Sequence, residues 1–197
     1  MRRLGSARGA ARRGGLMAAT LFQPWRSGII FGVADVPIRS EDAVRVAEVR
    51  PATADFDAVL GLAAQVLSQD RYLVSELPAA VESHVLGAFD DGRCVGFLRY
   101  VIQVIGADAG RPAVMRDGSP LTEGYVEAFG VEPRSRRRGI GTALQDHAAR
   151  RCREAGCHQM RSRSPVTSAE NYALKVAAGY VLHPSSQNDS YYFLLHL

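Results

Sequence analysis

The sequence predicts a mixed α/β fold, a central mixed β-sheet of six to seven strands flanked by about four helices. Three observations carry that prediction. The chain has 197 residues, 47% hydrophobic and 22% charged, which is the size and balance of one domain around one core. Two apolar runs flank Asp90-Asp91-Gly92, and an Asp-Gly step readily supplies the positive φ of a tight hairpin. After that hairpin, strand-like and helix-like segments alternate, which sets helices against the faces of a sheet.

The elements follow in order. Residues 44–49 read as a strand stopped by Pro51, and Thr53 or Asp55 caps a helix through Phe56, Val59, Leu60, Ala63, Ala64 and Leu67. A second helical stretch is expected after Leu77-Pro78, through Val81, Val85 and Leu86. Residues 86–89 and 94–104 form the hairpin arms, and a polar loop, 106–122, comes next. Residues 124–131 read as a strand ended by Pro133, and 139–155 as a helix with Ile140, Leu144, His147, Ala148 and Cys152 on one side. Gly156 stops that helix. A strand over 158–163, a helix over 168–178 ended by Gly179 and a last strand over 190–197 complete the order.

Charge divides the chain in two. Residues 1–34 hold six Arg and no acid, whereas the rest holds 18 basic and 20 acidic residues, a balance of −2. Basicity therefore belongs to residues 1–42, an Arg-rich leader without helical or strand period that reads as disordered. Its composition fits a targeting peptide, a plain tail, or a start at Met17. The folded domain is expected over 43–197, and its charge gives no ground for a nucleic-acid-binding body. No apolar run reaches the roughly 18 residues of a membrane-spanning helix, so no membrane role is expected. The three cysteines, Cys94, Cys152 and Cys157, have neither CxxC nor zinc spacing. They read as free thiols in a reducing, cytoplasmic setting, with no metal. Only Lys175 among the 24 basic residues is lysine.

The chemistry concentrates in 126–144. A strand enters the basic turn Arg136-Arg137-Arg138-Gly139 and opens a helix at Ile140-Gly141-Thr142. Unpaired N–H groups, the positive end of the helix dipole and three guanidinium groups then converge on an anion. Neither a GxGxxG fingerprint nor a GxxxxGK[ST] loop is present. The same Arg run also reads as a solvated turn or a nucleic-acid contact. Strict alternation places Tyr125, Glu127, Phe129 and Val131 on one strand face, where a carboxylate is an unusual occupant. Glu127 reads either as a base raised in pKa by burial or as a glutamate paired with one of the many arginines.

Arg136, Gly139 and Gly141, at this spacing between a strand and a helix, resemble the acyl-CoA-binding motif of the GNAT superfamily of N-acetyltransferases. Val49-Arg50-Pro51-Ala52-Thr53 with Asp55 and Asp57 resembles the family's first strand and helix, and Ala178-Gly179-Tyr180 its late Gly-aromatic step. The resemblance covers residues 44–197. It implies a direct transfer of an acetyl or other acyl group from acetyl-CoA to a primary amine of a small molecule or peptide. It further implies that Phe129, Gly130 and Val131 meet the pantetheine arm. Arg136, Arg137, Arg138, Gly139, Gly141 and Thr142 would hold the pyrophosphate, and Glu127 would be the general base. The position where many members carry a Tyr acid is Lys175 here, so Tyr172 is the substitute acid and Lys175 its rival. Asn171, one turn after the usual asparagine position at Ser168, is a further cofactor contact. Acceptor amines are expected near 69–76 and 106–120, and homodimerisation is left open. Two alternatives stand beside this reading: an acyl-CoA-binding module with weak chemistry, and a nucleic-acid-associated protein acting through the basic leader.

Overall fold

In a computed structural model, residues 44–66 and 68–197 are described; the expected leader, 1–42, and the expected helix position Leu67 lie outside the described residues. Nine strands occur in this part: β1 (Arg45–Val49), β2 (Ala80–Asp90), β3 (Arg93–Val104), β4 (Met115–Arg116), β5 (Ser119–Pro120), β6 (Thr122–Val131), β7 (Gln159–Pro165), β8 (Val181–Pro184) and β9 (Ser190–His196). Four α-helices accompany them: α1 (Ala54–Gln65), α2 (Asp70–Val74), α3 (Ile140–Glu154) and α4 (Ala169–Ala177). Seven strands make one sheet in the order β1-β2-β3-β6-β7-β9-β8, and β4 and β5 form a separate small hairpin within the 106–122 loop. Every pairing in the main sheet is antiparallel except β6 with β7. The parallel step follows from the α3 crossover between those strands.

Local chemistry explains several boundaries. The Phe56 N–H donates to Thr53 Oγ1 at 3.2 Å, which caps α1. Asp91 and Gly92 both have positive φ, 47° and 73°, as a two-residue hairpin turn between right-twisted strands requires. The helix expected through Val81, Val85 and Leu86 is instead the middle of β2, and the short α2 forms before Pro78 rather than after it. In β2, Val85 faces Arg99 and Leu86 faces Leu98. Both side chains are buried, on opposite faces, because helices cover both sides of the sheet. Val81, Glu82 and Ser83 are exposed, so the helical spacing of Val81, Val85 and Leu86 marks no buried helix face, and pairing with β3 makes the segment strand. β8 was not expected; its four exposed residues pair only with β9.

The core has two layers. On one face Leu86, Leu98, Tyr100 and Val126 pack beneath Leu144 and Cys152 of α3. On the other, Val85, Phe97 and Ala128 pack against Phe56, Val59 and Ala63 of α1, with Leu73 of α2 beside them. The three cysteines are free and buried.

Candidate active site

β6 and β7 part company halfway along. They pair from Glu123 with Gln159 to Val126 with Ser162, and β6 then runs on to Val131 with no strand on that side among the described residues. A β-bulge lies at the parting point. Arg99 of β3 faces Ala128 and Tyr100 faces Val126, so Glu127 is the extra residue. The bulge overturns the strict alternation expected from sequence: Phe129 and Val131 pack with Val126 in the α3 layer, whereas Ala128 joins the α1 layer. Glu127 is set apart from Phe129 and turned towards Arg99, which α2 holds. Backbone direction follows the same register. The Glu132 N–H donates to Val95 O of β3, so by alternation the N–H groups of Phe129 and Val131 point to the open edge.

Glu127 is nearly buried there, with 9% of its side chain exposed. Its Oε2 lies 3.5 Å from Arg99 Nη1 and accepts no hydrogen bond. Arg99 is spent elsewhere: Nη1 donates to Tyr72 O and Ser75 Oγ, and Nη2 to Ser75 O and Ser83 Oγ. Burial raises the Glu127 carboxyl, Arg99 pulls it back, and Asp108 adds to the rise. Burial also lowers the Arg99 guanidinium. Desolvation thus outweighs this pair on both sides, leaving a carboxylate readier to take a proton than an ordinary glutamate.

A second buried network on the same face fixes the loop above the site. Glu123, fully buried, accepts from Gln103 Nε2 at 3.0 Å, Gln159 Nε2 at 2.8 Å and Arg161 Nη2 at 2.7 Å. Arg161 Nη2 also donates to Asp108 Oδ1 at 2.7 Å, which ties the loop after β3 to the sheet. Its guanidinium stacks over the Tyr125 ring at 4.3 Å. Burial alone would lower the Arg161 pKa, but Glu123 and Asp108 together hold it above the ordinary arginine value.

The basic turn is assembled less tightly than the sequence suggests. Gly139 caps α3 with φ 80°, and the first-turn N–H groups of Ile140, Gly141 and Thr142 have no helical acceptor. Arg137 also has positive φ, 64°. The three guanidinium groups go separate ways. Arg136 reaches Val131 O at 3.3 Å and Glu170 of α4 at 2.9 Å, Arg138 pairs with Asp90 at 2.6 Å, and Arg137 is exposed. A Cβ at Gly139 would meet nothing, whereas one at Gly141 would stand 3.2 Å from Leu174 and from Phe129. The space over Gly139 therefore suits an anion lying against backbone, and Gly141 allows α4 and Phe129 to close on α3.

On α4, Asn171 Nδ2 donates to Ser164 Oγ at 2.7 Å while its buried Oδ1 has no partner. Tyr172 stands edge-on to Phe193 and Tyr191, its hydroxyl 3.4 Å from Ser164 O, and burial raises its phenol. Lys175 is wholly buried, its Nζ without a hydrogen-bond partner among the described residues, 5.0 Å from the Tyr180 ring centre and 5.5 Å from that of Phe193. Burial drags its amine down to about 7. Phe193 pairs with Ser162, the last β7 residue joined to β6, so Lys175 sits level with the parting point. Sequence reasoning missed Arg99, and placed Gln69 only within the 69–76 segment expected near the acceptor, not at Phe129. Arg99 had a signal, a charge amid the apolar run of β3; the contact of Gln69, whose Oε1 accepts the Phe129 N–H at 3.0 Å, had none. Among the described residues no helix is long and apolar enough to cross a membrane, and no group of three or more His, Cys, Asp or Glu is placed to hold a metal ion.

A sequence profile described as the Acetyltransferase (GNAT) family matches residues 59–177, and the chain belongs to that family. No curated protein sequence matches it. Solved structures share the fold at low identity. Arabidopsis thaliana NAA60 in complex with acetyl-CoA is 16% identical, with TM-score 0.62 over 79% of this chain and 99% of that one. A Drosophila melanogaster polyamine N-acetyltransferase that forms N-acetylagmatine is 16% identical, with TM-score 0.58 over 79% and 100%. The PaiA N-acetyltransferase of Thermoplasma acidophilum in complex with coenzyme A is 10% identical, with TM-score 0.57 over 79% and 99%.

Proposed function

We propose that this chain transfers an acetyl group from acetyl-CoA directly to a primary amine of a small molecule or peptide. The observation that supports the reading is the edge of β6 beyond Val126, where a bulged, nearly buried Glu127, its Oε2 without a hydrogen bond among the described residues, stands two residues before the Phe129 N–H on the strand that leads into the turn before α3. The thioester supplies an electrophilic carbonyl and a sulfur that leaves. Glu127 takes the amine's proton, directly or through one water, as its raised pKa suits. The Phe129 N–H is the donor for the oxygen on which charge develops. The first-turn N–H groups of α3, with Gly139 open above them and Arg136, Arg137 and Arg138 around them, hold the cofactor's phosphates. Gly130, Val131 and Thr142 line that path, and the orphaned Asn171 Oδ1 is an acceptor for a cofactor donor.

Tyr172, the expected acid, and Lys175, its rival, both stand on α4 as candidates for the proton that the departing sulfur needs. An amine near 7 is charged and neutral in similar amounts at working pH, whereas the Tyr172 hydroxyl is turned to Ser164 and its phenol is raised. The acceptor approaches by the groove between α2 and β2, with Leu73, Val74 and Val81 on its walls, Glu76 and Glu82 along it and Arg99 in its lining. Its carboxylates suit a cationic amine.

Calorimetric titration of acetyl-CoA into the full chain, with thiol release measured across an amine panel, tests the proposal. Replacing Arg136, Arg137 and Arg138 together by Ala is expected to weaken binding about tenfold or more. Glu127→Gln is expected to keep binding and to lower turnover about 100- to 1,000-fold. Absence of binding at millimolar acetyl-CoA by the folded protein would refute the reading. Binding without thiol release from any amine would leave an acyl-CoA-binding module.

A further inference from the structure

Beyond the parting point, the edge of β6 presents two peptide groups whose partners are side chains of the same chain. The Phe129 N–H donates to Gln69 Oε1 at 3.0 Å across 60 positions of sequence, and Val131 O accepts from Arg136 Nε at 3.3 Å. A strand edge left half-buried needs such partners, since an unmet N–H costs about 1–3 kcal/mol. Arg136 serves an acceptor, and many donors could do the same. Gln69 is more particular: it brings a neutral amide carbonyl oxygen, chemically close to an acyl oxygen, to the Phe129 N–H, two residues after Glu127.

Gln69 is held to that place. It stands between α1 and α2, its own N–H donates to Ala63 O at 2.9 Å, and its carbonyl accepts from Tyr72 at 3.0 Å, so the side chain reaches β6 from an anchored backbone. One N–H offers one good direction for an acceptor. Gln69 Oε1 and an acyl oxygen therefore exclude each other at Phe129.

We propose that Gln69 is a specificity residue that competes with the acyl oxygen for the Phe129 N–H and so sets the preference between acylated and free cofactor. The inference rests on the N-acetyltransferase reading above. An acyl thioester must displace Gln69 to bind in reactive register, whereas the free thiol of CoA has no acyl oxygen and leaves the contact intact. Once the acyl group has left, Gln69 returns to the N–H, and the edge is satisfied again with product bound.

The test compares acetyl-CoA and CoA, titrated separately into the unaltered full chain, Gln69→Met and Gln69→Ala. Met keeps the length and withdraws the acceptor; Ala removes both, so agreement between them separates the hydrogen bond from packing. Both variants are expected to bind acetyl-CoA about 3- to 10-fold more tightly, the factor one neutral hydrogen bond is worth. CoA affinity is expected to change less than twofold. Equal changes for the two ligands, or no change for acetyl-CoA in either variant, would overturn the assignment. Failure of the unaltered chain to bind either ligand would instead remove the acetyltransferase reading, a result separable from the first.

Discussion

Lys175 offers the most direct check on how this fold treats charge. The chain's sole lysine is wholly buried and, among the described residues, has no hydrogen-bond partner for its Nζ. Burial lowers its amine from the ordinary 10.5 to about 7, a difference in proton affinity of about 5 kcal/mol between unfolded and folded chain. The sign follows from proton counting. Below pH 7 both states carry the proton and the full cost of burying an ammonium is present. Between about 7 and 10.5 the unfolded chain binds more protons, so stability rises with pH by about 1.4 kcal/mol per unit; above 10.5 the cost is gone. Lys175→Met removes the charge but keeps the bulk, and forfeits the contacts of the ammonium with Tyr180 and Phe193, worth about 1 kcal/mol. The variant is therefore expected to be more stable at pH 7 by about 3–4 kcal/mol and to lack the rise towards pH 10. Urea unfolding of both proteins from pH 6 to 10 reads this directly, because the difference between them cancels the other titrating groups. If the two proteins follow parallel stability curves over that range, Lys175 is not a buried, displaced amine and the reasoning fails. The same variant is expected to lose about 10- to 100-fold in turnover while binding acetyl-CoA normally, which would show that the instability serves the reaction.

Two further predictions concern the scaffold. A Cβ at Gly124 would stand 2.3 Å from Cys152 Sγ and 3.3 Å from Met160, whereas one at Gly61 in α1 would meet nothing; thermal unfolding should show Gly124→Ala destabilised by about 1–3 kcal/mol and Gly61→Ala stabilised by about 0.5–1 kcal/mol. Arg161→Met would leave the fully buried Glu123 carboxylate uncompensated, so a loss of about 3–5 kcal/mol is expected in urea unfolding, partly recovered when Glu123→Gln is added; no recovery would mean the pair is not coupled as its geometry indicates.

Much of the fold was legible in the residues. The Asp91-Gly92 turn, the Thr53 cap, the apolar side of α3 and the glycine stops at 156 and 179 are local devices, and local devices are written in adjacent residues. The strand, basic turn and helix over 124–154 were equally plain, and with them the position of Gly139 and the family. The first part of β2 reads as helix because Val81, Val85 and Leu86 fall at helical spacing although Val81 is exposed, and β8 goes unread because its four exposed residues become a strand through pairing with β9.

The site depended on contacts between distant residues. Glu127 could be singled out as a carboxylate in an apolar strand, but the alternation that singled it out is broken at that very residue: the bulge opposite Arg99 and Tyr100 turns it away from Phe129. Arg99, 28 positions earlier, holds it without forming a hydrogen bond to it, and Gln69, 60 positions before Phe129, caps the Phe129 N–H. Register and bulges arise from pairing between strands, and pairing has no signature in either strand alone. By itself the sequence determined the Asp91-Gly92 hairpin, the strand, basic turn and helix over 124–154 and the family, because each rests on spacing within a short segment. Only the tertiary structure decided which face Glu127 shares, how deeply Lys175 is buried and what occupies the open edge of β6, because each of these is a meeting of segments that the chain keeps far apart.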